Sequence, residues 1–138
     1  MRRHWLAIAS LILVGCDQGA TLPTQRFKGI WLDQFEGSRY FDGAHDANRV
    51  KASIRHDAKT FNANREWLGW NDQATRDLIP SAPRARLVAI DFIGRRMAYP
   101  GRYGHMGISR RAIIVDRVLS ARLIYQASTP YLAEEPAR

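Results

Sequence analysis

Two runs of alternating apolar residues are long enough to dominate any core this chain can build. Residues 84–97 place Val88, Ile90 and Phe92 on one face and Leu87, Ala89 and Ile93 on the other. With both faces apolar, this strand is expected to be central. Residues 112–125 form a second run, with Ile113, Ile114, Val115, Val118, Leu119, Leu123 and Ile124. Residues 27–41 are rich in aromatics (Phe27, Trp31, Phe35, Tyr40, Phe41) and read as one long strand bent near Gly37. Asp42-Gly43 then marks a turn. Glu66-Trp67-Leu68-Gly69-Trp70 fits a short strand.

Between these strands the periods are mixed. In residues 48–61, Val50, Ala52 and Ile54 alternate, yet Val50, Ile54, Ala58 and Phe61 sit at helical spacing. A short helix or an irregular segment is expected there. Asn71 or Asp72 can cap a short helix through Asp77 to Ile79, stopped by Pro80 and Pro83. Pro100-Gly101 suits the centre of a type II turn. Residues 127–138 are polar, hold two prolines and read as a fraying tail.

Residues 1–16 bear on location. Arg2-Arg3-His4 precedes an apolar stretch, Trp5 to Val14, and Leu13-Val14-Gly15-Cys16 closes it. A spanning helix needs roughly 20 apolar residues, so this stretch is too short for one. The motif resembles the signal peptide of bacterial lipoproteins, with its lipobox. That resemblance implies cleavage after Gly15, lipid thioether-linked to Cys16, and a membrane-anchored protein facing the periplasm. Asp17 resembles the inner-membrane retention signal of enterobacterial lipoproteins. Residues 17–26 are polar, contain Gly and Pro, and read as a tether spanning roughly 17–19 Å.

Removing fifteen residues leaves 123, enough for one domain over residues 27–126. Cys16 is the sole cysteine, so no disulfide, thiolate metal site or cysteine nucleophile is available once it carries lipid. Several strands with one or two short helices fit a mainly β fold: a small, partly closed antiparallel barrel of the OB type. Phe35-Glu36-Gly37-Ser38, the Trp67-Leu68 strand, the loop Gly101 to Gly107 and Ile114-Val115-Asp116-Arg117-Val118-Leu119 resemble small uncharacterised OB-like barrel proteins of bacteria. That resemblance implies a fold and no activity.

Net charge is +8, and the positive residues are arginines apart from Lys28, Lys51 and Lys59. Such a charge favours nucleic acid in the cytoplasm. For an exported protein it favours an anionic leaflet or polymer instead, and no nucleic-acid partner is expected. Tyr103-Gly104-His105 is the candidate ligand-contact loop, since glycines allow close backbone approach and histidine can carry protons near neutral pH. A tight hairpin accounts for the same glycines. Glu36, amid aromatics, is a candidate buried acid, or the partner of Arg95 or Arg96. Trp67 and Trp70 can serve as stacking platforms or as the rim of the core.

His45-Asp46, His56-Asp57 and His105 do not form a metal-ligand spacing, so no metal or cofactor is expected. Ser109 and Ser120 lack the surroundings of a nucleophile. The expected function is therefore a lipid-anchored envelope module that binds or scaffolds without catalysis. Two other classes stay open: an envelope hydrolase or transferase using His105 with Glu36 or Asp116, and, with an unprocessed N-terminus, a basic nucleic-acid binder.

Overall fold

The computed structural model describes residues 19–59, 65–79 and 83–134. The expected export signal, with Cys16 and Asp17, lies outside the described residues. The elements are β1 (Gln25–Gln34), β2 (Gly37–Asp42), α1 (Ala47–Lys59), β3 (Glu66–Trp70), α2 (Gln73–Asp77), β4 (Arg86–Arg96) and β5 (Arg111–Gln126). Single 3-10 turns occupy His105–Gly107 and Leu132–Glu134. The strands close into a barrel in the order β1-β2-β3-β5-β4, with β4 pairing back onto β1. Every ladder is antiparallel except β3 with β5, which run parallel from Glu66↔Arg111 to Trp70↔Val115. This is a small OB-like barrel carrying two short helices. It is closed, where the sequence pointed to partial closure.

Alternation along β1 explains why both of its faces are apolar. Phe27 and Trp31 point inward, where they meet Tyr40, Leu68, Val88, Ile90, Phe92, Ile113 and Val115. Ile30 and Leu32 point outward and are covered by Val50 and Ile54 of α1, with Leu87, Ala127 and Leu132. That outer layer needs a helical stripe, which decides the ambiguous segment 48–61 in favour of α1. Asp72 caps α2 by accepting from the Thr75 N–H at 2.6 Å.

Four expectations are corrected. Residues 27–41 form two strands, because the chain reverses at Phe35-Glu36 and Gln34 faces Gly37. Glu36, at φ +49, makes the reversal. The expected tether over residues 17–26 is in part built into the barrel, since Thr21 bridges Met97 and β1 starts at Gln25. The tail does not fray before Glu134, because Ala127 and Leu132 are buried in the outer layer. Pro100-Gly101 does not form a type II turn; Gly101 lacks positive φ and donates its N–H to the Arg110 carbonyl across a hairpin at 3.0 Å.

Inside the barrel, the indole N–H of Trp31 donates to Ser38 Oγ at 2.8 Å, and Ser38 donates to the Leu68 carbonyl at 2.9 Å. This chain ties β1, β2 and β3 together through one half-buried hydroxyl. Ion pairs close both ends of the interior. Asp33 accepts from Arg86 at 2.7 and 2.9 Å and from Arg76 at 3.3 Å. At the other end Arg96 donates to Glu66 at 2.6 Å and to Asp42 at 3.2 Å. Asp33 and Glu66 are largely buried and each accepts at least two guanidinium N–H bonds, as a desolvated ion pair requires, while Asp42 is exposed.

Ser38→Ala leaves the Trp31 indole and the Leu68 carbonyl without their partner, and is expected to cost about 1–3 kcal/mol in urea unfolding. An unchanged midpoint would show that the bridge is dispensable. The Tyr40 phenol gives a pH test. Burial holds its pKa above the ordinary value, and the Asp42 carboxylate adds to the rise. The folded state therefore keeps a proton that the unfolded chain loses above about pH 10. Stability is complete below that pH and falls as the pH rises beyond it. In Tyr40→Phe the alkaline fall is expected to be shallower; an identical slope would remove Tyr40 as its source.

Candidate functional site

The outward side chains of β2 and β3 make the floor of a groove of about 580 Å³. Alternation puts Arg39 outward between the inward Ser38 and Tyr40, and Trp67 outward between Glu66 and Leu68. Arg39 donates to Asp57 of α1 at 2.6 Å and lies 4.5 Å over the Phe41 ring. Its Nε is buried without a hydrogen-bond partner among the described residues. Arg65 stands beside it. Burial and the neighbouring Arg39 charge lower the Arg65 pKa from its usual value, and Asp57 opposes the fall. The floor is thus two crowded guanidinium groups sharing a carboxylate.

The rim has three parts. The β1–β2 turn supplies Phe35 and Glu36. Residues 97–110 form an arm between β4 and β5, and it supplies His105, Met106 and Ile108. The C-terminal segment supplies Tyr131 and Ala133. The arm is a hairpin: Tyr103 and Ser109 exchange backbone hydrogen bonds at 2.8 and 3.2 Å, and the Tyr103 hydroxyl donates to the Tyr99 carbonyl at 2.8 Å. Its tip folds onto β3. Gly104, at φ +73, lies so close to the Trp67 indole that a Cβ would overlap the ring.

This seating carries His105 to the β1–β2 turn, where His105 Nε2 lies 3.5 Å from Glu36 Oε2. The two side chains keep 44% and 50% of their exposure, so the pair is open to a ligand. Glu36 and Met106 are the two non-glycine residues with positive φ among the described residues, at +49 and +54. Both border the groove, and strain of this kind gathers where a loop must present a side chain.

The sequence-derived candidates divide accordingly. Of Tyr103, Gly104 and His105, only His105 lines the groove; Tyr103 braces the arm and Gly104 packs on Trp67. Glu36 is an exposed acid, not a buried one, because it sits at the apex of a two-residue turn. Arg95 and Arg96 are not its partners: Arg95 binds Asp116 at 2.7 and 2.9 Å, and Arg96 binds Glu66. Asp116 is thereby occupied, and the histidine pairs with Glu36 alone of the two proposed carboxylates. Trp70 packs edge-on to Trp31 at 5.2 Å, and Trp67 is half-buried under Gly104, so both belong to the rim of the core.

Sequence reading missed Arg39, Arg65 and Tyr131, and weighed Asp57 only beside His56 as a metal ligand. Only strict alternation along residues 37–42 could have marked Arg39 as outward. Among the described residues no group of three His, Cys, Asp or Glu side chains is placed to hold a metal ion. His45 faces the Gly43 carbonyl and His56 faces Asp57. No protein-family model, no curated protein and no solved structure matches the chain.

Glu36→Gly removes the carboxylate and also relieves a left-handed backbone. It is expected to raise stability by about 0.5–1 kcal/mol, since an exposed pair contributes little. A lower urea midpoint in the variant would mean that the His105 contact outweighs the strain.

Proposed function

We propose that this chain is a lipid-anchored protein of the bacterial envelope whose OB-like barrel binds a partner in the β2–β3 groove without catalysing a reaction. The observation that carries the binding half is the convergence of the β1–β2 turn and the β4–β5 arm over the outer face of β2 and β3. Barrels of this type take oligonucleotides and oligosaccharides on that face and between those loops. The lining mixes Trp67, Phe35 and Tyr131 with Gln34, Arg39, Asp57 and His105. Aromatic faces beside paired hydrogen-bonding groups suit an envelope polymer, an oligosaccharide above all. Arg39 and Arg65 balance Glu36 and Asp57 in the groove, so it is the proposed export, not the groove's charge, that disfavours nucleic acid. The anchoring half rests on the lipobox at Leu13 to Cys16. Its periplasmic side and the inner-membrane preference from Asp17 belong to the same proposal.

One observation favours a second reading. The 3.5 Å approach of His105 to Glu36 is the start of a general acid–base pair, in which the carboxylate orients the imidazole. An envelope hydrolase or transferase would use it.

Intact mass and membrane fractionation of the native protein, beside Cys16→Ala, test the anchor. The expected product is membrane-bound, lacks residues 1–15 and carries diacylglycerol. A soluble full-length chain would overturn it and bring the nucleic-acid reading forward. For the groove, soluble cell-wall oligosaccharides are expected to shift the NMR signals of Trp67 and His105, and Arg39→Ala to abolish the shift. Turnover of those sugars that disappears in His105→Ala would replace the binding reading with the catalytic one.

A further inference from the structure

We infer that the outer surface of the β4–β5 arm is a docking face for an anionic lipid bilayer, an inference that rests on the anchoring at Cys16 proposed above. The first observation is the path of the chain. Ala98 donates its N–H to the Ala20 carbonyl at 3.0 Å, Leu22 donates to the Arg96 carbonyl at 2.8 Å, and Thr21 bridges Met97 antiparallel. The described chain therefore begins at the base of the arm. Cys16 precedes Ala20 by four residues, which span at most about 14 Å when fully extended. A lipid on Cys16 holds the base of the arm within that distance of the headgroups, and the barrel has no freedom to stand off further.

The second observation is charge. Residues 97–112 contain Arg102, Arg110 and Arg111 and no Asp or Glu. Arg102 and Arg110 border one concavity of about 570 Å³, together with Pro100, Gly101, Met106 and Ile108. No carboxylate lines it. Arg26, Arg76, Arg86, Arg95 and Arg96 each hold a carboxylate of this chain, whereas Arg117 and Arg122 of β5 are exposed as the arm arginines are. The arm arginines have no ion-pair partner among the described residues, so their charge is directed outward. Phosphate headgroups of an anionic leaflet supply the complement.

The third observation is apolar exposure on the same arm. Tyr99 is 66% exposed and Met106 78% exposed. A tyrosine ring suits the headgroup level of a membrane, and a flexible methionine can enter the acyl boundary. Apolar side chains flanked by arginines, at the point where an anchored chain enters the domain, match the surface of a bilayer. His105 and Met106 also border the β2–β3 groove, so docking sets one lip of the groove at the membrane surface.

The test uses the full-length protein processed in bacteria and reconstituted into vesicles. Cys16 is the sole cysteine, so when it carries lipid an introduced thiol takes the label alone. Met106→Cys reports on the arm. Leu123→Cys is the control, because Leu123 pairs with Val88 at the end of the β4–β5 ladder away from the arm and is 51% exposed. In vesicles containing phosphatidylglycerol, the label at 106 is expected to be shielded from a water-soluble quencher and the label at 123 to be open. Adding Arg102→Gln with Arg110→Gln should lower the docking equilibrium constant about thirtyfold, the effect of losing two basic residues at a charged surface. Both arginines are exposed, and unchanged circular dichroism confirms that the fold is intact.

Equal quenching at 106 and 123 on a lipidated chain overturns the docking face and leaves the anchor standing. Equal shielding in neutral phosphatidylcholine vesicles overturns the role of the arginines. Label appearing on Cys16 of the unsubstituted protein, with no lipid in its mass, overturns the anchor itself.

Discussion

Closure of the barrel depends on the five-residue parallel ladder between β3 and β5. Of the other pairs, β1–β2 is a hairpin and β1–β4 and β4–β5 are long antiparallel ladders, while β2 meets β3 at Tyr40↔Glu66. The β3–β5 pair joins segments more than forty residues apart and of the same direction, so local chain geometry offers it little help. What holds it is the interior. Leu68 of β3 and Ile113 and Val115 of β5 meet around the same buried rings, Trp31, Phe27 and Phe92. Ser38 satisfies the one polar group on Trp31 and ties the result back to β3. Gly29 and Gly94 allow the tight curvature, since a Cβ at either would meet a carbonyl of the neighbouring strand.

The groove follows from that closure. Once β5 lies beside β3, the arm that precedes it must cross the outer face of β3, and Trp67 stands in its way. Gly104 resolves the crossing by lying flat on the indole. His105 then reaches the β1–β2 turn, although Glu36 lies 69 positions earlier in the chain. The helix inserted between β2 and β3 builds the opposite wall, fastened by Asp57 on Arg39. Binding groups thus come from elements that share no local sequence relation.

Charge is divided by position. Inside and at the barrel ends, arginines are bound to Asp33, Glu66 and Asp42, where desolvation makes a missing partner costly. The Arg26–Asp91 pair lies across β1 and β4; hydrogen bonding from Arg26 lowers the Asp91 pKa from its usual value despite the opposing effect of burial. On the arm the arginines have water for company. The same residue type therefore serves closure in one place and presents an outward field in another.

Residues 84–97 and 112–125 were legible as strands because both faces of each carry branched apolar side chains, and the short strand 66–70 and the Asp72 cap were legible for equally local reasons. The mainly β barrel followed from their number and spacing. The turn at Phe35-Glu36 was hidden because neither residue is a usual turn former, and Glu36 takes up its left-handed backbone only in the paired hairpin. The partners of Arg95, Arg96, Glu36 and Asp116 were equally hidden, since a carboxylate's choice among eighteen arginines is made by distance in space. The sequence by itself determined most of the strands and their apolar faces, which are set by neighbouring residues. Closure, the seat of the arm on Trp67 and the meeting of His105 with Glu36 were decided only by tertiary structure, because each depends on contacts between distant segments that no local pattern encodes.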